Sequence, residues 1–159
     1  MSWFSKPLRL APSLQVLAGS ALLTGLTSSE LRIVHGFLHE RQYLPGEVIF
    51  DQGEEGQALY FLLRGRVAIC HHGHADSPIA ELGDGNFFGE MGLLDNWPRS
   101  AQAIAVEETH LAVLFRGDFE RLMESHARIA SRIALQLARF LGQRLRRMVA
   151  QQQAEIEEA

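Results

Sequence analysis

The run Phe88-Gly89-Glu90-Met91-Gly92-Leu93-Leu94-Asp95-Asn96-Trp97-Pro98-Arg99-Ser100-Ala101 decides how the rest of the chain is read. Gly89 lets the backbone approach a ligand closely, and the amides opening a short helix after it would point at an anion. Arg99 follows Glu90 by nine positions. Arginine's planar fork gives two parallel hydrogen bonds to the free oxygens of a phosphodiester, and an ionised glutamate accepts hydrogen bonds from a sugar hydroxyl. One ligand carrying both groups would satisfy both charges. The candidate ligand contacts on these grounds are Gly89, Glu90 and Arg99. Taken singly, either charge would more often be a solvated surface group or half of a structural salt bridge. Their setting favours a site.

From Tyr43 to Phe115 the sequence breaks into short apolar and β-branched runs punctuated by Gly46, Gly53, Gly56, Gly65, Gly73, Gly83 and Gly85. That texture predicts short antiparallel strands closed into a barrel or jelly roll, with strands at 67–70, 79–82, 101–106 and 110–115. The helical cassette interrupts this sheet, and local exceptions of that kind tend to be functional sites.

Before the strands, Thr27-Ser28-Ser29-Glu30 reads as a capping box. Leu31, Val34 and Leu38 then give a helix one apolar face until His39-Glu40-Arg41, and an earlier helical piece is expected over 14–23. After the strands, Asp118 reads as the cap of a short helix and Ser125 as the start of a longer one. That helix carries Ile129, Ile133, Leu137, Leu141 and Leu145, flanked by Ala130, Ala134 and Ala138. Steps of four drift around a helix, so one side can face the barrel and another a partner. Acids near its negative end should make 151–159 fray. The fold class is α+β: an antiparallel β jelly roll with an N-terminal helical segment and a long C-terminal helix. Its divisions are an extension (1–25), a binding domain including the C-terminal helix (26–150) and a frayed tail (151–159).

A chain of 159 residues is about one domain. Hydrophobic residues make up 47% and charged residues 21%, which places it among globular proteins rather than disordered ones. No apolar run approaches the roughly 20 residues of a membrane-spanning helix. The opening Met1-Ser2-Trp3-Phe4-Ser5-Lys6-Pro7 lacks a signal peptide's apolar centre, so a cytoplasmic protein is expected. A single cysteine, Cys70, excludes an internal disulfide and a cluster held by about four thiolates. The net charge of −4 gives no general attraction to nucleic acid. His71, His72 and His74 surround Gly73 at an expected hairpin tip and are read as exposed, with no metal assigned. No glycine-flanked nucleophile or Walker lysine is present, so no catalytic residue is assigned and no enzyme is expected.

Gly89-Glu90 followed by Pro98-Arg99-Ser100-Ala101 resembles the phosphate-binding cassette of cyclic-nucleotide-binding domains, of the catabolite activator and protein kinase A regulatory-subunit type. Leu44-Pro45-Gly46-Glu47-Val48-Ile49-Phe50, Gln52-Gly53, Leu59-Tyr60-Phe61-Leu62-Leu63-Arg64-Gly65 and Gly85-Asn86-Phe87-Phe88 resemble that family's glycine-punctuated strands in order, so the resemblance spans about 25–150. It implies a regulatory module without a cofactor, whose ligand is cyclic AMP first and cyclic GMP second. The resemblance extends the candidate ligand contacts from Gly89, Glu90 and Arg99 to Met91, Gly92, Ser100 and Ala101, and the Ser100 hydroxyl could add a hydrogen bond to the phosphate. Gln102 stands where the kinase regulatory domains usually carry threonine, and it is left outside the site. Arg144 falls near where family members set a side chain over the purine, making it a candidate base cap.

The resemblance also implies a mechanism. Phosphate draws Arg99 and the helix at Gly89 inward, and the C-terminal helix closes over the base. That helix would pair with a second copy or dock on another protein. Many bacterial members append a helix-turn-helix, but the eleven residues after Met148 (159 − 148) are too few for one, so DNA is not an expected partner. The alternatives are a fragment of such a transcriptional regulator and a ligand-free module for protein contacts.

Overall fold

The computed structural model describes residues 11–159. Residues 1–10 of the expected extension lie outside that range. Thr27 caps α2 (Ser28–His35) as expected: its hydroxyl accepts from the Glu30 amide at 3.2 Å, and Glu30 accepts from the Thr27 amide at 3.0 Å. Ahead of α2, the helical stretch is split into α1 (Pro12–Ala18) and a 3₁₀ turn (Ala21–Leu23). Leu14, Leu17, Leu22 and Leu23 from these pieces cluster with Leu31 and Val34 of α2.

Eight strands follow: β1 (His39–Tyr43), β2 (Val48–Phe50), β3 (Ala58–Arg64), β4 (Val67–Cys70), β5 (Ala80–Leu82), β6 (Phe87–Phe88), β7 (Gln102–Ala105) and β8 (Thr109–Phe115). They form two four-stranded sheets, ordered β1-β8-β3-β6 and β2-β7-β4-β5, and every pairing between strands is antiparallel. β1 corrects the expectation that the apolar face of α2 runs on to residues 39–41. The helix stops at His35, and His39 to Tyr43 pair with β8 instead. An edge strand tolerates polar side chains on both faces, so it shows no alternation to read.

Side-chain alternation explains how the first sheet is covered twice. Leu111 and Val113 of β8, with Ala58 and Leu62 of β3, join Phe50, Val67 and Ala103 of the other sheet in one cluster. Ala112 and Leu114 of β8, with Leu59, Phe61 and Leu63 of β3, face the helices. The second sheet also holds Cys70, fully buried and donating to Gln102 Oε1.

β8 runs directly into α3 (Arg116–Ser125), which α4 (Ala127–Glu158) follows after a break at His126. Two expected starts are therefore corrected. Asp118 lies inside the first turn of α3, with Phe115 in the capping position; it accepts from Arg121 and pairs with His39 Nε2 at 3.0 Å. Ser125 ends α3 rather than opening α4, and its hydroxyl donates to the Arg121 carbonyl. Both side chains have capping chemistry, but the exit of β8 fixes where the helix begins. α4 continues to Glu158, through the stretch expected to fray. Its glutamines, alanine and glutamates are good helix formers. They extend a helix that is already nucleated, so they face no new nucleation cost.

Candidate ligand-binding site

β6 is followed by Gly89, whose φ of 70° turns the chain into a short 3₁₀ helix, Glu90–Leu93. A Cβ at Gly89 would stand 2.9 Å from Arg99 Nη1, and one at Gly92 would stand 2.8 Å from the Ala58 carbonyl. Only glycine lets the Arg99 side chain lie across this turn.

The backbone of Arg99 is pinned from both sides: Gly53 N donates to its carbonyl at 2.8 Å, and its own amide donates to Glu54 O at 2.6 Å. The guanidinium donates to Gly89 O at 2.9 Å and to Ala58 O at 2.8 Å. It lies 4.2 Å from the centre of the Phe50 ring, a cation–π contact that favours the charged form. Phe50 in turn tilts against Tyr60 and Phe88, which stack on each other at 5.1 Å. Burial lowers the Arg99 pKa and Tyr60 and Glu90 oppose that shift, yet a guanidinium stays protonated at physiological pH. Two of its five N–H groups are used on the Gly89 and Ala58 carbonyls.

Glu90 is 6% exposed, and its Oε1 accepts from Arg144 Nη1 of α4 at 3.0 Å. Glu90, Arg99 and the other cassette candidates, Gly89, Met91, Gly92, Ser100 and Ala101, all line one cavity of about 460 Å³. Arg144 lines it as well, but with its guanidinium on the carboxylate rather than free to lie over a base. Gln102 is not part of the wall; its amide donates to Asp51 Oδ1 at 3.0 Å. His72 pairs with the same carboxylate at 2.9 Å, and this contact is the main cause of a lowered Asp51 pKa. Among the described residues, no group of three His, Cys, Asp or Glu is arranged to hold a metal.

The rest of the wall was not singled out in the sequence. It includes Phe50, Ile69, Leu82, Phe87 and Phe140, with Trp97 at the exposed rim. Phe140 sits edge-on to Phe87 at 4.7 Å. It precedes Arg144 by one helical turn, so the two share a face. The four-residue spacing from Arg144 is the sign of Phe140 in the sequence.

An apolar cavity with a fixed cation and a buried carboxylate suits an anion that also carries hydroxyls and a flat ring. The fold is thus an antiparallel jelly roll interrupted at this cavity by a glycine-bounded turn. More specifically, the chain belongs to the family described as cyclic nucleotide-binding domain, whose profile matches residues 40–126. It is 42% identical over 127 residues to the cyclic AMP receptor protein of Thermus thermophilus, covering 79% of this chain and 59% of that protein. It is 39% identical over 119 residues to a cyclic nucleotide-gated potassium channel of Rhizobium etli, covering 75% of this chain and 32% of the channel. The crystal structure of the Thermus thermophilus catabolite activator protein superposes with a TM-score of 0.74 at 40% identity, covering 83% of this chain and 61% of that one. The match thus spans about three fifths of the first relative's length and a third of the second's. No helix among the described residues is long and apolar enough to cross a membrane.

Proposed function

We propose that the chain is a regulatory module that binds a cyclic nucleotide, cyclic AMP before cyclic GMP, and signals through α4. The observation that carries this reading is the convergence of Arg99 and Glu90 on one apolar cavity. Arg99 and the Ser100 hydroxyl hold the phosphate, and Gly89 and Gly92 let the backbone close on it. Glu90 accepts from the ribose, while the purine lies against the apolar wall. Cyclic AMP is placed first because a relative 42% identical to this chain is a cyclic AMP receptor. The role is recognition rather than catalysis, in keeping with relatives named as a receptor and a channel.

Calorimetry with cyclic AMP and cyclic GMP tests the reading. Arg99→Ala should weaken binding by about 2–5 kcal/mol, because it removes a buried charge-assisted contact to phosphate. Equal, weak heats from both proteins would favour a ligand-free interaction module.

The output is assigned to the exposed face of α4. Leu135, Ala138, Gly142, Leu145, Val149, Gln152 and Ile156 fall at alternating steps of three and four. Leu135, Leu145, Val149 and Ile156 are exposed. That spacing is the seam of a two-stranded coiled coil, and a second copy of the chain supplies the matching seam. Sedimentation with and without nucleotide should show a dimer; an unchanged monomer would remove this part of the proposal.

A further inference from the structure

The carboxylate assigned to the ligand's sugar is already held by the chain's own α4. Its two partners differ sharply in setting: the Glu90 side chain is 8% exposed and that of Arg144 is 61% exposed. The carboxylate is fixed and dry, whereas the arginine is wet and rides on a long helix. Arg132 bonds to Gly25 and Glu30. Beyond it, the Arg144–Glu90 contact is the only hydrogen bond or ion pair joining α4 to the rest of the described residues. Every residue from Gln143 onward is exposed.

We propose that Arg144 is a rival of the ligand's ribose 2′-hydroxyl for Glu90, and so determines how strongly that hydroxyl is selected; this rests on the cyclic-nucleotide reading above. Arg144 and Glu90 line the same cavity, so a sugar docking on the carboxylate meets the guanidinium there. A half-exposed ion pair contributes little, whereas a buried carboxylate left without a partner is costly. Exchange of Arg144 for a hydroxyl therefore keeps Glu90 satisfied and releases α4 at its last polar tether. A 2′-deoxy nucleotide has nothing to offer Glu90 and leaves Arg144 in place. Sugar recognition and the freedom of α4 thus become one event. A base cap would act in the opposite sense, with α4 drawn in by the ligand.

The test is calorimetry of the whole chain with cyclic AMP and 2′-deoxy cyclic AMP, comparing wild type with Arg144→Ala. The substituted residue is exposed and alanine is a strong helix former, so the fold should be retained; circular dichroism checks this. Arg144→Ala should tighten cyclic AMP by about twofold to fivefold. It should leave the 2′-deoxy ligand unchanged, so the ratio between the two rises. In a Glu90→Gln background the same substitution should alter neither affinity, because the rivalry is gone. Equal weakening of both ligands by Arg144→Ala would overturn the proposal and make Arg144 a base cap. An unchanged ratio would also overturn it, showing that carboxylate, guanidinium and sugar coexist. A wild-type chain that takes up neither nucleotide would remove the cyclic-nucleotide reading itself, and the rivalry with it.

Discussion

α4 is one unbroken helix in two unlike settings. In its first third Ile129, Ala130, Ile133 and Leu137 are buried in the core, with α4 packed on α3 and on the 3₁₀ turn at Ala21–Leu23. From Gln143 to Ala159 every residue is exposed. The same backbone geometry therefore serves first as a core element and then as an arm. The two residues that reach the cavity, Phe140 and Arg144, stand where one becomes the other. A small ligand acting there works against the anchored end of the helix, while no packing within the described chain resists movement on the far side.

The contrast breaks most readily at its buried end. Ile133 is fully buried, so Ile133→Ala should lower the unfolding free energy by about 2–5 kcal/mol in a denaturant titration. A loss well below that would mean the first third is not core. At the join, Phe140→Ala removes the edge contact with Phe87 and part of a half-buried ring, with an expected cost of about 1–2 kcal/mol by the same titration. In the arm, Leu145→Lys should change folding stability by no more than about 0.5 kcal/mol. The same substitution should shift sedimentation toward the smaller species, because it places a charge in the proposed seam. A large stability loss from Leu145→Lys in a monomer would erase the distinction between the two parts.

What could be read from the sequence follows what each position must do. Gly89, Glu90 and Arg99 were legible because close backbone approach, a carboxylate and a planar cation each demand a particular residue type. β4 was read to the residue, since Gly65 and Gly73 fence its apolar run. β1 was missed because an edge strand of His39-Glu40-Arg41-Gln42-Tyr43 has no alternation to show. Asp118 and Ser125 misled for a different reason: capping propensity is local, whereas the entry to α3 is set by β8. Phe50, Phe87 and Phe140 resemble ordinary core residues in sequence, and only the closed sandwich reveals that they wall a cavity. The partner of Arg144 lies 54 positions away, beyond the reach of any local pattern.

Cys70, the chain's only cysteine, is wholly enclosed between strand neighbours. A buried thiol reacts with an alkylating dye only during the moments when its surroundings come apart. The labelling rate is thus a built-in stopwatch for spontaneous opening of the sandwich, with no second thiol to blur the reading. Any small molecule that prefers the closed form must slow that clock in proportion to its occupancy. Candidate messengers can accordingly be ranked by time alone, using the unaltered protein.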